Sequence, residues 1–419
     1  MEKRKDTKGR NLHDGEDQMK DGRYRYRYTD PLGKRRVIYS WKLVGTDKVP
    51  AGKRDADSLR QMERKIEKDL EDGIDSKAAE KLTVSQMYQA YMGLKQIRES
   101  TRQCYEAIYH RYIEDTLGPK KLEVIRPSVM QGYFKSLSED RHLKPHSLRN
   151  VYALLHPMFD LAVRDGYIRM NPTDGLLPSF KKDGKWQDEP RRALTPAEQS
   201  AFLGYLEQSD LYRHWKPLFV FLLGTGCRIG EALGLTWNDV DFEKNLIRIS
   251  HAIVYLQDET GKHIYRMSTP KTNSGIRTIP MLSKVRAALL QEKQNQELLG
   301  IRSKAVIDGY TGFVFINGNG NVHAKENINN LIRKICLEYN TQESEKAARE
   351  NRDPALIQRF SVHNLRHTFC TRLCESGMNI KMIQDIMGHS SIQTTMNIYA
   401  EVTERSKEAA FEELDGKVF

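Results

Sequence analysis

The densest set of reactive side chains lies between Ser361 and Tyr399, where His363, Arg366, His389 and Tyr399 fall in one short helical stretch. Arginine offers a planar fork of donors to phosphate oxygens, imidazole moves protons near neutral pH, and a phenol can act as a nucleophile. That set suits chemistry on a phosphodiester. The first half, SVHNLRHTFCTRLCESG, predicts a helix opened by Ser361, striped by Leu365, Phe369 and Leu373, and stopped at Gly377. His363 and Arg366 are three apart and can share a helical face. A second short helix breaks at Gly388, His389 follows the break, and the next helix carries Tyr399 near its end.

A metal site is the first alternative, since His363, His367, Cys370 and Cys374 are all possible ligands. Along one straight helix these positions span about 16 Å of axis, too far for one tetrahedral ion. H-x-x-x-H also matches the frame of the zinc-protease motif, but Asn364 stands where the general-base glutamate belongs. No metal and no cofactor is expected. Taken singly, each His or Tyr is more often packed than catalytic, so the rest of the chain must supply the missing parts.

A length of 419 residues allows two or three domains. The net charge of +11 and pI of 9.2 favour an anionic partner. A mean hydropathy of −0.66 and a longest apolar run of only Leu218 to Leu223 argue against a membrane span. The opening MEKRKDTKGRNLHDGED lacks the apolar core of a secretory signal. The five cysteines do not make a disulfide framework, which points to a reducing cytoplasm.

The elements that must position the reactive set follow from the pattern. GRYRYRYTDPLGKRRVIYSWKL predicts a β-hairpin turning at Asp30–Gly33, with Arg23, Arg25 and Arg27 on one face and Tyr24, Tyr26 and Tyr28 on the other. Val37, Tyr39 and Trp41 are expected to continue the apolar face. From Gly22 to Lys42 there are seven bases, Lys34 and Arg36 among them, and one acid, a net of +6. Such a ribbon fits a nucleic-acid groove, although a solvated charged face has the same pattern. A helix over Asp55 to Leu70 can cover the sheet with Leu59, Met62, Ile66 and Leu70.

From about Lys81 the pattern turns to four or five helices ending near Pro172, with capping boxes at Thr83/Gln86 and Ser100/Gln103, a stop at Gly118, and Pro127 and Pro145 in first turns. Arg102 and Arg149 are among the bases of this bundle. PSFKKDGKWQDEPRR, residues 178 to 192, has no apolar period and reads as a linker. Thr195, Pro196 and Glu198 open the last domain, and an apolar helix over Trp215 to Leu223 runs into GTGCRIGE, whose glycines deliver Arg228 to the next helix start. Strands are expected at Leu246 to Ile253, Ile264 to Ser268 and Arg277 to Pro280. The turn TPKTNSG, carrying Lys271, would join the last two as a hairpin. A helix over Lys284 to Leu298, a strand over Phe313 to Ile316, a helix over Glu326 to Tyr339 and a polar loop or frayed helix over residues 340 to 358 complete the expectation.

TGCRIGE, TPKTNSGIRTIP, HNLRHTF, MGH and a tyrosine ten residues later together resemble the tyrosine recombinases, in particular integrases of conjugative transposons and temperate phages. The resemblance covers the whole chain. It implies an α+β multidomain protein: an arm-type DNA-binding domain with a small β-sheet and a helix (1–80), an all-α core-binding bundle (81–177), a linker (178–193), and a mainly α catalytic domain with a small sheet (194–419). It implies that Arg228 and Arg366 clamp the scissile phosphate, Lys271 protonates the leaving 5′-hydroxyl, His363 moves a proton, His389 bonds a phosphate oxygen, and Tyr399 attacks phosphorus. Double-stranded DNA with core and arm-type sites would be the partner, in a bacterial cytoplasm. A tetramer would assemble on the DNA, with accessory excisionase and DNA-bending proteins.

The residues agree with these roles. Two fixed arginines can stabilise the charge of a phosphoryl transition state without Mg²⁺. A phenol with a pKa near 10 needs a base or nearby cations to attack. Glu231, three after Arg228, can orient it by charge pairing, while His367 has no role that follows from position. A type IB topoisomerase and a DNA-binding regulator with a vestigial catalytic set are the alternatives. The acidic tail, Glu401 to Phe419, has an apolar stripe (Ala409, Ala410, Phe411 and Leu414) that must cover a protein surface, in its own domain or, as the resemblance implies, on a neighbouring protomer.

Overall fold

Alternating tyrosines and arginines build the first sheet. In the computed structural model, which describes residues 4–30, 33–74, 80–182, 192–270 and 275–402, β2 (Tyr24–Thr29) lies between β1 (Glu16–Gln18) and β3 (Arg35–Ser40), all antiparallel. Tyr24 and Tyr26 enter a small core with Ile38, Leu43, Leu59 and Ile66, and α1 (Leu59–Glu71) covers it with the four apolar residues expected. The register corrects the return strand. Ile38 stands opposite Tyr26, whereas Val37 and Tyr39 stand opposite Arg27 and Arg25 and are exposed on the arginine face. The Arg23 guanidinium lies over the rings of Tyr39 and Trp41, at 5.2 and 5.8 Å.

Beneath this sheet two carboxyl groups, Glu16 on β1 and Glu63 on α1, are buried together. Arg60 donates to Glu16 Oε1 at 3.0 Å. Despite burial, Arg60 and the His13 amide hold Glu16 below the usual carboxylate range. Burial, and then the hydrogen bond and charge of Glu16, push Glu63 up to about 7.

The chain divides into two compact units, residues 1–188 and 189–419. In the first, the sheet is followed by a helical bundle of α2 (Val84–Leu94), α3 (Glu99–Ile108), α4 (Pro127–Glu139), α5 (Pro145–Arg164) and α6 (Leu176–Lys182). Thr83 and Gln86 form the expected capping box, and Pro127 and Pro145 sit in first turns. The box expected at Ser100 does not form: Arg98 is the N-cap of α3, and Gln103 bonds Glu99 instead. The helix α3 continues into a π turn, Tyr109–Ile113. Phe134, Leu154, Met158 and Phe159 fill the core. The stretch expected to be a linker begins as helix, because Leu176 and Phe180, four apart, both pack on this core. Residues 183–191 lie outside the described residues.

In the second unit, Thr195 and Glu198 form the capping box of α7 (Pro196–Gln208). Phe202 meets Phe219 and Phe360 edge to face at 5.0 and 5.2 Å in the main core. The apolar helix α8 (Lys216–Thr225) ends at Gly226, whose φ of +62° is left-handed, and Arg228 caps α9 (Ile229–Gly234). A Cβ on Gly226 would lie 2.5 Å from Phe369 Cδ1 and 2.9 Å from Met387 Sδ. The α9 helix rests on strand backbone through its glycines: a Cβ on Gly230 would lie 2.7 Å from Ile253 O.

The expected strand over Leu246 to Ile253 is two strands, β5 (Leu246–Ile249) and β6 (Ala252–Gln257), parted at His251, whose buried Nε2 lies 2.8 Å from Gly234 O. β7 (His263–Ser268) and β8 (Arg277–Pro280) are not a hairpin. β7 pairs with β6, and β8 pairs with β5 in a sheet that also holds β4 (Val240–Asp241). Phe313 to Ile316 makes isolated bridges to Thr236 and Val322 rather than a strand. After α10 (Ser283–Leu298), α11 (Lys325–Glu350) runs well past Tyr339, so most of the stretch expected as loop or frayed helix is regular helix. Ala347 is buried there, Asn340 Nδ2 bonds Ile357 O, and Asn351 at φ +50° stops the helix. Then come α12 (Val362–Glu375), capped by Ser361, α13 (Ile380–Met387), and α14 over residues 392–402. The tail beyond 402 lies outside the described residues. Among the described residues no helix is long and apolar enough to cross a membrane.

Two outcomes follow from these contacts. The native state keeps a proton on Glu63 that the unfolded chain releases above its ordinary pKa of 4.5. That stabilisation is complete below 4.5 and is lost as pH rises through about 7. Glu63→Gln should therefore flatten the fall in thermal midpoint over that window; an unchanged slope would place the proton elsewhere. Gly226→Ala, with a strained φ and no room for a methyl, should lower stability by about 1–3 kcal/mol in urea titrations.

Candidate active site

Two helix C-termini converge on the predicted arginines. α8 ends at Gly226 and α13 at Gly388, both left-handed, and their last carbonyls turn toward three guanidiniums. Arg366, on α12, donates from Nη1 to Gly226 O at 2.7 Å and from Nη2 to Met387 O at 2.5 Å. Arg228, at the start of α9, donates from Nη2 to Gly388 O at 3.3 Å. Arg277, on β8, donates from Nε to Ile386 O at 2.8 Å. The negative end of a helix dipole suits cations placed this way.

Arg366 is buried, while the side chain of Arg228 is 47% exposed. Burial, then the neighbouring charge of Arg228, lowers Arg366 to about 10, which leaves it charged at neutral pH. Glu231 gives Arg228 the orientation that its spacing suggested: its carboxylate accepts from Arg228 Nη1 at 2.8 Å and from the Arg228 main-chain N–H at 2.9 Å. Burial alone would raise Glu231, but the hydrogen bond and charge of Arg277, then the charge of Arg228, hold it at about 2.

His389 follows the α13 stop and is buried, with Nδ1 2.9 Å from Thr395 Oγ1. Burial, then the charges of Arg366, Arg228, Arg277 and His363, lower it to about 4, so its ring is neutral near pH 7. His363 is exposed in the first turn of α12, and its charge is felt at His389. His367 is buried on the same helix. Tyr399 is half-buried on α14 and packs on the apolar cluster of Phe369, Cys370, Cys374, Ile383 and Met387 that joins α12 to α13. Lys271 lies outside the described residues.

Arg277 was absent from the expected set. Its signal was present: in Arg277–Pro280 the residues alternate buried and exposed, and the arginine takes an inward position beside Ile279. A charge in the buried phase of a strand demands a partner, here Glu231.

The expected DNA-contact residues are distributed unevenly. Arg23, Arg25 and Arg27 share one sheet face, where Arg25 Nη2 meets Asp17 Oδ2 at 2.6 Å and Arg27 pairs with the same carboxylate. Lys34 is exposed beyond the strand. Arg36 stands opposite Tyr28 on the other face, with its Nε 2.8 Å from Asp30 Oδ2, so it does not join the arginine face. Arg102 lies on α3, 3.9 Å from Glu99, and Arg149 is half-buried on α5.

Comparison with known proteins gives the family. The model of the phage integrase family matches residues 192–406, that of the DNA-binding domain of Tn916 integrase matches 1–70, and that of the N-terminal SAM-like domain of phage integrases matches 83–138. The chain is 35% identical to the transposase from transposon Tn1545 of Streptococcus agalactiae, over 99% of this chain and 97% of that one. The same figures hold for the transposase from transposon Tn916 of Enterococcus faecalis. The structure of the Tn1549 transposon integrase in complex with transposon right end DNA is similar with a TM-score of 0.68 and 32% identity, covering 80% of this chain and all of that one. The chain belongs to the phage integrase family of tyrosine recombinases, and is a site-specific DNA recombinase of a mobile genetic element.

Proposed function

We propose that the chain cuts and rejoins double-stranded DNA at the ends of its mobile element through a 3′-phosphotyrosyl intermediate formed on Tyr399. The observation that carries this reading is the convergence of Arg228 and Arg366 on the carbonyls at Gly226, Met387 and Gly388, with neutral His389 next in the chain. Carbonyls occupy two of the five N–H donors of Arg366, and the others bind nonbridging phosphate oxygens together with Arg228. Tyr399 Oη attacks phosphorus, the bond to the 5′-oxygen breaks, and the tyrosyl ester forms. His363 takes the phenolic proton and Lys271 gives one to the leaving 5′-hydroxyl. His389 donates from Nε2 to a phosphate oxygen, which requires Nδ1 to accept from the Thr395 hydroxyl. The new ester keeps the energy of the one cut, so a 5′-hydroxyl on another strand reverses the step without ATP.

Within this reading, residues 1–80 bind arm-type sites through the face of Arg23, Arg25 and Arg27. Residues 81–177 hold core DNA, to which Arg102 and Arg149 contribute, residues 178–193 link the two domains, and residues 194–419 perform the chemistry. The Tn1549 integrase is bound to transposon end DNA and, in a further structure, to circular intermediate DNA; DNA of that class is the substrate proposed here. Four protomers act in one synaptic complex in the bacterial cytoplasm, aided by excisionase and DNA-bending proteins.

Tyr399→Phe should bind attachment-site DNA as the wild type does and yield no denaturation-resistant protein–DNA adduct. An adduct at wild-type yield would remove Tyr399 from the role. Strand cleavage of a nicked suicide substrate should continue in excess EDTA, because arginines supply the positive charge. Complete loss, restored by Mg²⁺ at constant ionic strength, would show that the arginine clamp does not suffice.

A further inference from the structure

Arg277 has no place in the mechanism above, yet it is one of the two deeply buried guanidiniums of the site. Its Nη2 and Nη1 meet the two carboxylate oxygens of Glu231 at 2.8 and 3.3 Å. Its Nε holds Ile386 O at 2.8 Å, and Nη1 also reaches Gly275 O at 3.3 Å. The same carboxylate holds Arg228, so one buried acid serves two arginines of which only Arg228 reaches solvent.

Charge counting gives this sharing a purpose. Paired with Arg228 alone, Glu231 would cancel the charge that the phosphate must feel. Paired with Arg277, it is already neutralised: Arg228, Arg277, Arg366 and Glu231 together carry +2, and only +1 without Arg277. The bond to Ile386 O adds a second effect, since the next two carbonyls, of Met387 and Gly388, hold Arg366 and Arg228.

We propose that Arg277 is a positioning residue for strand cleavage: it is the counter-ion of Glu231 that leaves the charge of Arg228 to the scissile phosphate, and it pins the α13 end that anchors both clamping arginines. This rests on the cleavage reading given above. His389 offers an independent gauge of the local field, because it faces Arg366, Arg228, Arg277 and His363, with Thr395 on its own helix side.

The test uses the full chain with Arg277→Met, Arg277→Lys and the double variant Glu231→Gln/Arg277→Met. It reads core-DNA affinity, single-turnover cleavage of a suicide substrate, and the titration of His389 by NMR. Arg277→Met should cleave about 100-fold more slowly, the scale of losing one preorganised charge contact, while still binding core DNA. The double variant removes the buried pair while nearly keeping its shape, and should recover about tenfold of that loss. Arg277→Lys keeps the charge without the fork, so His389 should titrate as in the wild type, whereas in Arg277→Met it should titrate at higher pH. Wild-type cleavage by Arg277→Met, or a double variant no faster than that single one, would overturn the counter-ion role. If Arg277→Met does not fold, Arg277→Lys and the double variant still test it: both keep a net +2 and should each cleave within about tenfold of the wild type, and a loss of about 100-fold in both would overturn the counter-ion role. Should the wild type itself form no adduct on Tyr399, the cleavage reading fails, and an unmoved His389 titration in folded Arg277→Met would still reject the proposal for Arg277.

Discussion

Three guanidiniums are held close together in the second unit, two of them buried, and like charges there repel in a medium that screens poorly. What makes the arrangement stable is the direction of two helices. α8 and α13 both end at left-handed glycines, and their unsatisfied last carbonyls receive Arg366, Arg277 and Arg228. Helix ends normally leave these carbonyls to water. Here they accept from cations, and Glu231 supplies a full negative charge. The need of each partner is met by the other, which is why the site can be positive and ordered at once.

The same constraint explains the small residues around it. α8 must stop abruptly for Gly226 O to face Arg366, and the space beside Gly226 is already filled by Phe369 and Met387. α9 must lie directly on the β6 backbone for Arg228 to emerge at its first turn, and Gly230 and Gly234 permit that approach. Packing thus reaches the chemistry through a few backbone atoms. Side chains on neighbouring elements decide where Arg228 and Arg366 stand.

The first unit solves a different problem with the same economy. Its sheet buries tyrosines on one face and leaves arginines with Val37, Tyr39 and Trp41 on the other, so cations and rings are interleaved on an open surface. Asp17, opposite Arg25 on the neighbouring strand, pairs with both Arg25 and Arg27 and limits their spread. A surface of this kind can follow a charged backbone while offering apolar contacts beside it.

The sequence by itself determined most of what depends on neighbours along the chain, the cap of α3 at Arg98 rather than Ser100 being an exception. Caps at Thr83, Thr195 and Ser361, first-turn prolines at 127 and 145, and stops at Gly226, Gly377 and Gly388 are local hydrogen-bonding and φ requirements, and each was legible. The places of Arg228, His363, Arg366, His389 and Tyr399 along the helices were legible for the same reason, since they sit at fixed offsets from those signals. Tertiary structure alone decided which strands pair and in what register. Period two allows either face until a partner is fixed, so Val37 and Tyr39 were assigned to the wrong side, and β7 and β8 to each other. It also decided that α11 runs on past Tyr339, through contacts of Asn340 and Ala347 that have no sequence signature. Arg277 belongs to this second class: an inward arginine is destabilising until Glu231, 46 positions earlier, is folded against it.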